Sequence, residues 1–129
     1  MMGRTSTLIV SAGCILLALS GSLAEGASRN CLPSTLKITL HKLKRFGKVQ
    51  VISTYRRGAR IAGTRRLSKH ARCRAVDFHL RGNKRAAVRW LRRQRLEVIT
   101  YGCAMSHIHI AIGSYKGHHC VSRIGRRIR

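Results

Sequence analysis

The sequence predicts a small α+β domain: a mostly antiparallel sheet with two helices packed on one face. Three observations carry this prediction. Leu32, Leu36, Leu40 and Leu43 recur at helical spacing. The stretches 48–54, 73–80 and 107–113 alternate side chains in the manner of half-buried strands. Between them, residues 83–95 gather Ala86, Ala87, Trp90 and Leu91 on one side of a second helix.

Taken in order, the chain begins with Arg4, an apolar run from Leu8 to Leu19, and the small residues of Ser22-Leu23-Ala24. That is the pattern of a secretory signal peptide over 1–24, and the run is short for a membrane span. Cleavage is expected after Ala24, with Ala27 as a second site. The first helix is expected from Pro33, which suits a first turn, to Phe46, with Gly47 ending it. A strand follows over 48–54. Residues 55–69 contain Gly58, Gly63 and five arginines and read as a basic loop. Residues 73–80 form the second strand, and Asn83 caps a helix running to about Arg95. Two further strands are expected at 97–101 and 107–113. His118 and His119 are expected in a solvated turn near the end of a domain spanning 25–120. A basic tail, 121–129, is expected to be mobile at its end.

Alternation decides what the last strand and the second strand present. Ile108, Ile110 and Ile112 point into the core, which turns His107, His109 and Ala111 the other way. Val76, Phe78 and Leu80 point inward, which turns Ala75, Asp77 and His79 outward. Asp77 and the His107/His109 pair are therefore expected to meet on one exposed sheet face, away from the helices, and His70 to reach them from the preceding loop. Asp77 is notable for another reason: only Glu25, Asp77 and Glu97 are acidic, against 27 Lys and Arg. Two or three imidazoles and one carboxylate form a ligand set that binds zinc and leaves one position open. His79 reads as a surface residue, Trp90 as helix core, and Met105 as packing or loop.

The net charge of +24 favours polyanionic partners. For an exported protein these are the anionic cell envelope and its lipids, with nucleic acid as the other candidate, although no specific nucleic-acid recognition is expected. Cleavage removes Cys14 and leaves Cys31, Cys73, Cys103 and Cys120, an even set that suggests two disulfides. Of the three pairings, Cys73 with Cys103 is expected, because each lies beside one half of the candidate site. Cys31 would then pair with Cys120.

The combination Ser68-x-His70-x6-Asp77, preceded by Ser53-Thr54-Tyr55-Arg56 and followed by His107-x-His109, resembles the zinc D-alanyl-D-alanine carboxypeptidases. Their relatives include the vancomycin-resistance D,D-dipeptidases, the amino-terminal domain of hedgehog proteins and the short, exported YcbK-like branch. The resemblance runs from about Cys31 to Cys120. It implies that His70, Asp77 and His109 bind Zn2+, with His107 as the alternative third ligand. It also implies that His107 otherwise assists near a metal-bound water, that Arg56 grips substrate or polarises its carbonyl, and that Ser68 helps hold the substrate end. Two departures stand out. The family usually has glycine three residues after the first histidine, where this chain has Cys73. Many members place a carboxylate base close to the third ligand, where this chain has Cys103, Ala104, Met105 and Ser106. Glu97 lies too far back in sequence to be assigned that role. The function implied is an exported zinc peptidase acting, as a monomer, on peptidoglycan peptides. The alternatives are a zinc-containing cell-wall-binding module without turnover and a cationic polyanion-binding protein.

Overall fold

The computed structural model describes residues 31–122 and the backbone of 127–128; the expected signal peptide at 1–24 lies outside the described residues. The elements are α1 (Ser34–Leu43), β1 (Gly47–Ser53), β2 (Ala75–Gly82), α2 (Lys84–Arg92), β3 (Glu97–Cys103), β4 (Ile108–Ala111), β5 (Lys116–Val121) and β6 (Arg127–Ile128). They form an α+β fold around one six-stranded sheet of order β1-β2-β4-β3-β5-β6. Among the described residues only β3 and β5 pair in parallel; the other four strand pairings are antiparallel.

The helical leucines do what their spacing dictates. Leu32, Leu36, Leu40 and Leu43 are buried against one face of the sheet. A single 3-10 turn, Lys44–Phe46, tightens the end of α1 before the chain enters β1 at Gly47. Asn83 caps α2 by accepting from the Ala86 N–H at 3.0 Å, the bond its side chain is suited to make. Ala87 and Leu91 of α2 join Leu36, Leu43, Val76, Phe78, Val98, Ile108 and Ile110 in one core. Trp90 is only partly buried; its ring lies 5.9 Å from that of Phe46, and the Arg45 guanidinium stacks over both.

The first half of β2 and the whole of β4 are buried on both faces. Ala75, Val76, Asp77 and Phe78 of β2 and all four residues of β4 are inaccessible or nearly so. The helices cover one side. On the other side the excursion between β1 and β2 folds back on itself, through the Ser68 N–H to Ala59 O and the Arg56 N–H to His70 O bonds. A 3-10 turn at Lys69–Arg72 then delivers His70, 1% exposed, against the sheet.

Three expectations are corrected. His118 and His119 lie in β5, a strand that adds in parallel to β3, and not in a solvated turn. The stretch Lys116–Val121 offers no alternating pattern by which to recognise it; its place is set by pairing with β3. The tail from Val121 is not simply free: Val121 ends β5, and Arg127–Ile128 returns to pair with Cys120 and Val121. The disulfides are Cys31–Cys73 and Cys103–Cys120, not Cys73–Cys103 and Cys31–Cys120. Cys73 turns into the core beside Leu32 at the start of α1, whereas Cys103 lies at the far end of β3, beside β5.

Candidate metal centre

Asp77 and His109 are register partners on the antiparallel strands β2 and β4. Directly opposed side chains on one face of such a pair meet, and His109 Nδ1 lies 2.7 Å from Asp77 Oδ1. His70 comes from outside the sheet. Its Nε2 is 3.1 Å from Asp77 Oδ2 and 3.3 Å from His109 Nδ1. One ligand atom from each of His70, Asp77 and His109 falls within 4.8 Å of the others, and all three residues are buried.

The local chain explains how His70 is held. Ser68 caps the 3-10 turn, its Oγ accepting from the His70 N–H at 3.3 Å. The turn ends at Cys73, which adopts the left-handed conformation at φ 53° and ψ 31°. That is the conformation glycine takes without strain, and here the Cys31–Cys73 disulfide anchors the residue that holds it.

Each imidazole has its other nitrogen engaged. His70 Nδ1–H donates to Thr54 O at 2.7 Å, which directs Nε2 at Asp77 and His109. His109 Nε2 faces Glu97 Oε1 at 3.4 Å, which leaves Nδ1 toward the centre. Two imidazole nitrogens and a carboxylate, with outward protons bound elsewhere, suit a divalent metal such as zinc with a position left open.

The charges are strongly coupled. Burial alone would raise the Asp77 carboxyl, but hydrogen bonds from His109 and His70 outweigh it and hold the group far below the usual carboxylate range. The hydrogen bond from His109, reinforced by Lys69 against a smaller burial effect, holds Glu97 below its ordinary value. Burial works against a charged His109, yet hydrogen bonds to Asp77 and Glu97 prevail and raise it above 6.5. His107 is lowered, chiefly by burial; neighbouring positive charge adds to this and Asp77 opposes it.

The sign of the His109 shift gives a prediction. In the metal-free protein its proton stabilises the fold fully below pH 6.5, and that contribution is lost as pH rises through the raised value. A metal must displace the same proton. Apparent zinc affinity is therefore expected to rise up to about tenfold per pH unit until His109 is neutral, then flatten. Competition against a chromophoric chelator from about pH 5.5 to 8.5 measures this, and a flat profile across the acidic half contradicts it.

The other expected site residues lie at the rim. Arg56 Nη2 is 3.8 Å from Asp77 Oδ2, with its side chain 55% exposed. His107 Nε2 is 4.0 Å from Asp77 Oδ1, and its ring stacks on Tyr101 at 4.4 Å. The Ser68 hydroxyl is engaged in capping the turn beneath His70. His79 sits beside His107, with ring centroids 6.4 Å apart.

Sequence reasoning did not assign Glu97, Lys69 or Thr54. Glu97 opens β3, opposite Ala111 of β4, and so stands on the same sheet face two residues along from the Ile99–His109 pair. Its signal was rarity, as one of three acids in the chain. The register that brings it home is not visible locally.

A sequence model of the family described as Peptidase M15 matches residues 14–111. No curated protein and no solved structure matches the chain. The match covers most of the chain and runs through both halves of the buried centre, so the protein is a member of the peptidase M15 family.

Proposed function

We propose that the protein is an exported, zinc-dependent peptidase of the D-alanyl-D-alanine carboxypeptidase type, hydrolysing peptide bonds of peptidoglycan. One observation carries the reading: His70 Nε2, Asp77 and His109 Nδ1 converge at a buried point in a chain of a peptidase family. Zinc, when bound by these residues, supplies Lewis-acid polarisation of a carbonyl and acidifies water. The chain's own residues do the rest. Arg56, half exposed at the mouth, presents a permanently charged fork suited to a substrate carboxylate. Ser68 holds the turn that carries His70, and in this reading its segment borders the bound substrate end. His107, at the rim, takes part in proton transfer. The two disulfides are consistent with an oxidising compartment, periplasmic or extracellular. No helix among the described residues is long and apolar enough to cross a membrane. The basic surface, with a net charge of +24 over the chain, would keep a monomeric enzyme close to the anionic envelope.

A second reading has a specific observation in its favour. Among the described residues the only carboxylates are Asp77 and Glu97, and Glu97 is taken up by His109 and Lys69. A module that keeps metal and fold but lacks turnover would show this arrangement. Oxidised protein lacking residues 1–24, incubated with purified peptidoglycan, separates the two. The peptidase reading expects release of new peptide ends or D-alanine that a chelator stops and added zinc restores. One zinc per chain with no release would favour the binding module.

A further inference from the structure

We infer that Lys69 and Glu97 form a positioning pair for the metal ligand His109, and that Glu97 is not the missing general base. The inference rests on the zinc-site reading above and deepens it.

Glu97 uses both carboxylate oxygens. Oε1 faces His109 Nε2 at 3.4 Å, and Oε2 meets Lys69 Nζ at 2.5 Å. The ligand atom of His109 is Nδ1, on the other side of the ring. Glu97 therefore stands behind the ligand, on the side away from Asp77. From there it can accept the Nε2 proton and keep Nδ1 unprotonated and aimed inward, as carboxylates behind ligating histidines do. A carboxylate already bound to an ammonium and an imidazole is poorly placed to take a proton from water.

Two features of the backbone fit this role. The register partner of Glu97 is Ala111, fully buried, whose methyl leaves room for the longer side chain to lean two residues along β4 toward His109. Gly113, at φ +152°, lies directly under the bridge. A Cβ there would come within 2.5 Å of Lys69 Nζ and 3.4 Å of Glu97 Oε2. The glycine thus keeps open the space that the pair occupies. Lys69 is also the residue before His70, so the pair ties the segments carrying two ligands to the start of β3.

The test is zinc affinity, measured by competition with a chromophoric chelator on the oxidised protein, beside urea unfolding of each variant. Glu97→Ala is expected to weaken zinc binding about 10–100-fold. Glu97→Gln keeps an acceptor for Nε2–H and is expected to recover most of that loss. Lys69→Met and Gly113→Ala are expected to shift affinity in the same direction as Glu97→Ala. Nitrogen NMR of the metal-free protein, at a pH where His109 is neutral, gives a second readout: the Nε2-protonated share of His109 falls in Glu97→Ala. Unchanged zinc affinity in Glu97→Ala overturns the inference, whether or not stability falls. Hydrolysis lost with affinity and tautomer intact overturns it too, and makes Glu97 the base. If Glu97→Ala does not fold, Glu97→Gln and Lys69→Met decide: losses of equal size in both contradict a role carried by the acceptor oxygen. Unmutated protein that binds no zinc sinks the peptidase reading instead, and the tautomer measurement then decides the pairing by itself.

Discussion

Asp77→Ala is expected to abolish zinc uptake and peptide hydrolysis together, with the largest effect of any single change at the centre. Asp77 touches four other residues of it: His109 at 2.7 Å, His70 at 3.1 Å, Arg56 at 3.8 Å and His107 at 4.0 Å. Without the carboxylate, two buried imidazoles and a nearby guanidinium face one another with no negative charge between them. Changes behind a ligand cost about 10–100-fold in affinity, so loss of a ligand that also orders the other two is expected to cost on the order of a thousand-fold or more. Breaking a buried charged cluster by removing one partner also destabilises the fold, by about 3–5 kcal/mol. Asp77→Asn keeps the shape and isolates the charge. Metal analysis and hydrolysis are to be measured on both variants, with circular dichroism to establish folding. A folded Asp77→Asn that retains one zinc at unmutated affinity would sink the assignment of Asp77 as ligand.

Removal of the Cys31–Cys73 bridge is expected to have the second largest effect. The bridge closes a separation of 42 residues, against 17 for Cys103–Cys120. On the chain-entropy account these are worth roughly 4 and roughly 3 kcal/mol. The larger figure is only part of the consequence. Cys73 sits three residues after His70, accepts a left-handed backbone that costs a non-glycine residue about 1–2 kcal/mol, and donates its N–H to His70 O. The double variant Cys31→Ser/Cys73→Ser is expected to unfold at a lower urea midpoint and to bind zinc more weakly, because the turn that aims His70 loses its anchor. Cys31→Ser/Cys73→Gly should regain about 1 kcal/mol relative to it, since glycine adopts that backbone freely. An unchanged midpoint on loss of the bridge would show that the turn is held by packing alone.

Much of this arrangement can be read from local pattern. Leu36, Leu40 and Leu43 repeat at the helical period and are buried; Val76, Phe78, Ile108 and Ile110 repeat at the strand period and are buried. Once those faces are assigned, Asp77 and His109 must emerge on the opposite side, whatever the rest of the fold does. What stays hidden is non-local. Glu97 reaches His109 only because β3 pairs with β4 in the register that sets Glu97 opposite Ala111. The sequence Lys-Gly-His-His-Cys-Val of β5 has no alternation, and its strand conformation comes from the edge that β3 offers. Disulfide partners likewise depend on where chain ends land. Closeness of Cys73 and Cys103 to the two halves of the site said nothing about which way their side chains turn.

The strand order carries a consequence for how the molecule comes into being. β4 lies between β2 and β3, yet follows both in the chain. Until it inserts, Asp77 and Glu97 belong to separate pieces, and the histidine that bridges them has no fixed position. Contacts between partners so far apart in the chain form slowly, because the intervening segment must be ordered before they contribute anything. The centre therefore forms only when this four-residue strand joins the two parts of the sheet. An unfinished chain would carry the ligands without a place to hold an ion, and capture of metal would mark the moment at which β4 joins β2 to β3.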